Sequence, residues 1–474
     1  MNILYTASEL APYVKTGGLG DVLAALPREM HKRGHEVSVA VPLYRVLKEK
    51  FEGLRKTELR LQVPLGGQMI PTCVWEGKTP EGVTVFAIQR DEFYDRAGLY
   101  GNEDGDYLDN PARFSFLSRA VVELAKHIEP QVDIIHANDW HTALIPAYVR
   151  AWGMPFNTVL TIHNLAYQGQ FPGGMFADLD LPTEYFSPAG VEFYGRINFL
   201  KGGITLAHAV TTVSPTHAKE IQSEMYGFGL HQVLAGMRYK LTGILNGMDE
   251  HIWHPKKDPF IAKHYDAEHL AGKMECKKDL LKAVGFKGGE SKPLFGIVAR
   301  LVAQKGFDLV LEMMEKFLQR DARLVVLGMG DPALENEFRR WAKKKPSNIR
   351  VKIQFDEKLA HKIEAGCDFF LMPSLFEPCG LNQFYSLKYG TIPIVRDTGG
   401  LSDSVQNWDG VTGTGFKFSG YEAKYLLEKV DEALKVFGDE KAWNKLRQNA
   451  MKQDFSWKTR VLDYEKFYQN LPSV

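Results

Sequence analysis

Two cations, Arg300 and Lys305, stand five positions apart in Arg300-Leu301-Val302-Ala303-Gln304-Lys305-Gly306. The apolar run just before them, Leu294 to Val298, reads as a strand. A planar guanidinium and a point ammonium at a strand end would clamp a diphosphate. Two basic residues in a solvated loop would give the same letters. A second stretch, Pro373-Ser374-Leu375-Phe376-Glu377-Pro378-Cys379-Gly380-Leu381, also follows a strand-like run, Phe369 to Met372. There Glu377 would accept bonds from ligand hydroxyls, and the N–H groups of Gly380 and Leu381 would face a phosphate at a helix start. A structural turn with Glu377 as a helix-start charge would use the same residues.

Near the N-terminus, Lys15-Thr16-Gly17-Gly18-Leu19-Gly20-Asp21 separates a strand, Ile3 to Ala7, from a helical stretch reaching about Arg33. Glycines let backbone N–H groups approach an anion, and Lys15 adds a full charge. The spacing is neither that of a P-loop nor that of a dinucleotide fingerprint, and a tight turn without a ligand would look the same. Asp397-Thr398-Gly399-Gly400-Leu401 would cover a phosphate or serve as turn punctuation. His163 ends the run Thr158 to Thr161. His136 and His141 lack the i, i+4 spacing of a helical zinc pair. Asp104-Gly105-Asp106 has the form of a metal-binding acid pair, yet it lies in a polar Gly-rich loop rather than at a strand end. Nothing near Cys379 marks it as a nucleophile.

Strand-like runs alternate with helical patterns along the whole chain, which predicts an α/β architecture with parallel sheets. Val37 to Val41, Val132 to His136 and Ala209 to Val213 extend the first series. Leu324 to Leu327, Ile349 to Ile353 and Ile392 to Val395 extend a second. Two Rossmann-like halves follow, with a hinge near 245–255. The stretch 256–292, rich in Lys, Asp and Gly, reads as a surface connection. Pro27 predicts a kink or a late start in the first helical stretch. In such sheets ligands gather at the carboxyl ends of strands, where these motifs fall.

The 474 residues exceed one ordinary core. Lys plus Arg equals Asp plus Glu at 58 each, which argues against a nucleic-acid binder. Four cysteines without C-x-x-C spacing point to a reducing compartment. No apolar run approaches the roughly 20 residues of a membrane span, and the first residues lack a signal-peptide layout. A cytoplasmic protein is expected.

Lys15 to Val22, read as KTGGLGDV, resembles the signature of bacterial glycogen synthases and plant starch synthases, the ADP-glucose-type glycosyltransferase family 5. His136 to His141, Thr161 to Gly169, Arg300 to Gly306 and Glu377 to Gln383 match that family in order, and the resemblance runs to about Trp457. It implies a GT-B fold: an acceptor-side Rossmann-like domain at 1–245, a nucleotide-sugar domain at 246–455, a helix at 456–474 crossing back to the first domain, and an interdomain active-site cleft. The implied activity is retaining transfer of glucose from ADP-glucose to the non-reducing end of an α-1,4-glucan such as glycogen, without metal or cofactor. The expected partners are those two substrates, with no nucleic acid and no membrane; the oligomeric state stays open.

Residue by residue, the resemblance makes Arg300 and Lys305 the diphosphate clamp and Glu377 the ligand of the transferred glucose. Lys15, with Gly17 and Gly18, falls at the donor phosphate. His163 lines the glucose subsite, Asn246 and Asp21 orient donor and sugar, and Cys379, Gly380, Leu381 and Asn382 adjoin the donor. Asp139 falls on the acceptor side. Phe355 stands where the family usually has Tyr, and Asn382 where it usually has Thr, so a UDP-glucose donor or a small acceptor is the alternative.

Overall fold

The computed structural model describes residues 1–472. The last two residues of the expected 456–474 helix lie outside the described residues. The chain forms two compact units: Met1–Ile244 together with the chain from Trp457 onward, and Leu245–Ser456.

The first unit is built on a nine-stranded sheet. From one edge the order is Leu241–Gly243, Ala209–Thr212, Asn157–Ile162, Ile134–Asn138, Asn2–Thr6, Glu36–Pro42 and Thr84–Ile88, all parallel. Two long antiparallel strands, Gln68–Lys78 and Arg55–Leu65, complete the far edge. Asn2–Thr6, Ile134–Asn138 and Ala209–Thr212 are buried at every residue, as strands covered on both faces are. The helix Gly18–Lys32 runs continuously with Pro27 inside it, so the late start expected from Pro27 does not occur. The last helix, Trp457–Gln469, packs against it. Tyr468 Oη lies 2.7 Å from His136 Nδ1, and Glu465 pairs with Arg33 and His35.

The second unit holds a six-stranded parallel sheet in the order Ile349–Lys352, Arg323–Leu327, Leu294–Val298, Phe369–Met372, Ile392–Arg396, Phe416–Phe418. Numbered along the chain this is 3-2-1-4-5-6, the doubly wound dinucleotide-type order. Its two central strands read LFGIV and FFLM, almost wholly large and apolar.

The stretch 256–292 departs from expectation. It contains a helix, Ala271–Val284, whose inner face is buried and includes Lys273 and Lys277. Lys273 Nζ donates to the carbonyls of Ala365 and Tyr389 at 3.0 Å and to Thr391 Oγ1 at 2.6 Å. Lys277 Nζ lies 2.6 Å from Asp368 Oδ2. Ammonium groups with buried partners made a core-facing helix read as solvated.

Candidate functional site

In each parallel sheet, chain order reverses beside the first strand, and ligands of open α/β sheets bind outside the carboxyl ends of the strands there. In the second unit the reversal lies between Leu294–Val298 and Phe369–Met372. The loops leaving these strands carry Arg300 and Glu377. In the first unit it lies between Asn2–Thr6 and Ile134–Asn138, whose outgoing loops carry Glu9 and Asp139.

The second-unit loops are tied together. Leu375 N–H donates to the Gln304 carbonyl at 2.8 Å, and Gln304 Nε2 to the Phe376 carbonyl at 3.1 Å. Gly306 takes a φ of +70°, and a Cβ there would meet the Pro373 carbonyl oxygen at 2.0 Å, so only glycine allows this approach. The result sets Lys305 Nζ 2.6 Å from Glu377 Oε2, and Ser374 Oγ donates to the same oxygen at 3.0 Å. Glu377 is buried, Lys305 partly so, while Arg300 is exposed and makes no ion pair among the described residues. The arrangement offers a fixed carboxylate for hydroxyls and two cations for an anion.

The Gly-Gly pair at 399–400 has a steric task. Gly399 has a φ of +44° and its Cβ would lie 1.9 Å from the Glu377 carbonyl oxygen; a Cβ on Gly400 would lie 2.1 Å from that of Cys379. Gly400 N–H donates to the Glu377 carbonyl at 3.1 Å. This fixes the turn that ends in Gly380, itself at φ +73°, before the helix Asn382–Tyr389. Asn382 Nδ2 donates to the Val298 carbonyl at 2.6 Å, joining that helix start to the end of the first strand. Cys379 is buried, and burial pushes its thiol up, which makes it inert as a nucleophile. Asn246 is buried with its Oδ1 unpartnered among the described residues. Phe355 is 85% exposed on the loop before the helix Glu357–Gly366.

In the first unit, Lys15 Nζ lies 2.7 Å from Asp21 Oδ1. The N–H groups of Thr16 and Gly17 donate to Glu9 Oε2 at 2.8 and 3.2 Å. Thr16 Oγ1 and Tyr100 Oη donate to Glu9 Oε1. A buried carboxylate of the chain thus holds the front of the Gly-rich loop, and Gly18 begins the helix. Asp139 takes a φ of +56°, a strained position for a residue with a Cβ. Its Oδ1 accepts from His163 N–H at 2.7 Å and Asn164 N–H at 3.4 Å. Burial pushes its carboxyl up to about 7. His163 Nε2 lies 2.9 Å from Asn138 Oδ1, and burial lowers its pKa to about 3, so the imidazole is neutral. His136 is a core residue between Tyr468 and Thr161.

Glu9, Asn138, Ser374 and Arg396 were not singled out in the sequence. Arg396 is buried and donates to the Ser374 and Leu375 carbonyls beneath the Glu377 loop. Their shared signal is position: each lies within a few residues of a strand's carboxyl end.

Residues 2–236 match the starch synthase catalytic domain family and residues 284–453 match glycosyl transferases group 1. The chain is 46% identical to a glycogen synthase of Koribacter versatilis, covering 100% of this chain and 99% of that protein. It is 44% identical to a glycogen synthase of Anaeromyxobacter dehalogenans, covering 99% and 100%. The catalytic domain of starch synthase IV from Arabidopsis thaliana, solved bound to ADP and acarbose, superposes with a TM-score of 0.89 at 33% identity, covering 99% of this chain and 98% of that one. The two α/β units have the GT-B glycosyltransferase fold. With whole-length identity and both halves matched, the chain belongs to the glycogen synthase and starch synthase family of glycosyltransferases.

Proposed function

We propose that this glycosyltransferase moves glucose from ADP-glucose to the non-reducing end of an α-1,4-glucan, with retention at the anomeric carbon and without a metal ion. The observation that carries this is the Lys305–Glu377 pair, 2.6 Å apart, beside Arg300 at the switch point of the second sheet. The starch synthase relative was solved with ADP and acarbose, a nucleotide and a glucan-like sugar. Four free thiols favour a reducing, cytoplasmic setting.

In this reading the bond from the anomeric carbon to the diphosphate oxygen breaks as the sugar gains oxocarbenium character. Arg300, Lys305 and the N–H groups at the start of the helix Asn382–Tyr389 take up the charge that develops on the leaving diphosphate. These cations supply what a metal ion would otherwise provide. Glu377, already bonded to Lys305 and Ser374, accepts hydroxyls of the glucose and holds its orientation. The acceptor 4-hydroxyl attacks from the face the diphosphate leaves and passes its proton to a departing phosphate oxygen. That route retains configuration without a carboxylate nucleophile. Neutral His163 turns its backbone carbonyl toward the anomeric carbon, and Asp139 fixes the His163 backbone. Lys15 and Asp21 serve the donor phosphate, and Asn246 the donor.

A panel of ADP-, UDP- and GDP-glucose, each with radiolabelled glucose and with glycogen or a small sugar as acceptor, tests this. ADP-glucose with glycogen is expected to give the highest incorporation. Phe355 and Asn382 favour a second reading, UDP-glucose as donor; faster transfer from UDP-glucose would establish it and end the first.

A further inference from the structure

Two turns of the first unit hold large aromatic side chains in a backbone conformation that such residues avoid. In the hairpin of Glu192–Phe193 with Arg196–Asn198, the two turn residues are Tyr194 at φ +50° and Gly195 at φ +74°. In the turn closed by Leu230 N–H to the Gly227 carbonyl at 2.7 Å, they are Phe228 at φ +46° and Gly229 at φ +84°. Positive φ at both central positions is the type I′ pattern, whose first position favours Asn, Asp or Gly. A bulky residue there is a true outlier. Burial does not explain the choice: Tyr194 is 85% exposed and Phe228 39%. Tyr194 meets Phe193 edge to face, ring centroids 4.7 Å apart, yet most of its ring faces out; strain kept on so exposed a ring points to a functional surface.

The turns are neighbours. A Cβ on Gly229 would lie 3.8 Å from Phe193 Cζ, next to Tyr194. Gln168 Nε2 donates to the Phe228 carbonyl at 2.9 Å, and Gln168 Oε1 accepts from Asn198 Nδ2 at 2.7 Å. Gln168 therefore links both turns to the loop that leaves the strand Asn157–Ile162, the loop that carries His163 and Tyr167. Tyr167 is itself 57% exposed. Gln170 and Arg196 are exposed on the paired strands next to the Tyr194 turn, where Gln170 Nε2 donates to Gln168 Oε1 at 2.8 Å. Aromatic faces edged by amide and guanidinium groups suit a ligand with C–H faces and hydroxyl rims. Protein interfaces also use Tyr, Phe and Arg; what favours a glucan here is the continuity of this surface with the loop that carries His163.

We infer that Tyr194, Phe228 and Tyr167 form a stacking platform for an extended glucan chain, adjoining the strand end that carries His163. This rests on the reading of an α-glucan as acceptor. The rings stack on successive pyranose faces while Gln170 and Arg196 meet hydroxyls.

The test is electrophoresis of the full-length protein in gels containing glycogen, with no donor present. Wild type is expected to be retarded. Tyr194→Asn is expected to need about tenfold more glycogen for the same retardation, equivalent to about 1.4 kcal/mol. It should melt at or above the wild-type temperature, because Asn suits the turn. Tyr194→Phe, which keeps the ring, is expected to bind like wild type. Wild-type retardation by Tyr194→Asn, loss of binding by Tyr194→Phe, or an unretarded wild type would each overturn the platform. A wild type that is retarded by glycogen but transfers no glucose to it would leave the platform standing and sink the catalytic reading alone.

Discussion

Lys305 Nζ lies 2.6 Å from Glu377 Oε2 although the two residues are 72 positions apart. A partly buried ammonium thus meets its counter-charge inside the chain before any substrate arrives. In the function proposed above, an incoming diphosphate would share that ammonium and leave Glu377 to take sugar hydroxyls. Lys305→Ala is therefore expected to lower kcat/KM by about 10²- to 10³-fold, the range for losing one preorganised charge-stabilising donor. Steady-state kinetics with ADP-glucose and glycogen checks it, and an unchanged kcat/KM would remove the phosphate role from Lys305.

Asp139 gives a pH signature. In an unfolded chain an aspartate releases its proton at about pH 4. In the folded chain, burial holds it to about 7. Across that window the folded state binds the additional proton, so this group's effect on stability turns unfavourable as pH rises and is complete above 7. Asp139→Asn keeps an acceptor for His163 N–H and suits the positive φ. Its melting temperature is expected to match wild type at pH 5 and exceed it at pH 8. Curves that stay parallel across that range would show that Asp139 titrates normally.

Gly399 packs its backbone against the Glu377 carbonyl, where a Cβ would lie 1.9 Å away at a φ of +44°. Gly399→Ala is expected to cost about 2–3 kcal/mol, an overpacking and backbone-strain penalty, in urea unfolding. It should also raise KM for the nucleotide sugar, since the displaced loop carries Glu377. A variant with wild-type stability would mean that the turn yields freely.

Lys277 and Asp368 are both buried, 2.6 Å apart, and Asp368 also accepts from Leu294 N–H at 2.9 Å. Removing the ammonium strands a carboxylate at the entry of the first strand of the second sheet. Lys277→Ala is expected to lower stability by about 3–5 kcal/mol. Chemical denaturation of the two proteins measures the difference, and a loss below about 1 kcal/mol would mean that water reaches Asp368.

What was legible in the chain was local. Leu294–Val298 and Phe369–Met372 stand out because strands buried on both faces must be continuous apolar runs. The motifs after them then fall at strand ends without further information. Contacts across long stretches of chain were not legible. Glu9 anchors Thr16 and Gly17 locally, yet its bond to Tyr100 spans 91 positions and leaves no mark on either neighbourhood. The helix Ala271–Val284 was hidden for a different reason. Lys273 and Lys277 sit on its buried face, and lysine letters carry the signal of a wet surface. The turn aromatics Tyr194 and Phe228 break the residue preference of their own turns, so no turn rule points to them.

The last helix, Trp457–Gln469, completes the unit that begins at Met1, so the second unit is an insertion within the first. During synthesis the inserted unit emerges whole while the unit begun first still lacks its closing piece. Until then Tyr5 and His136 have no Tyr468 to bond. A chain cut before Trp457 would therefore damage the unit begun at Met1 and spare Leu245–Ser456, the unit next to the cut.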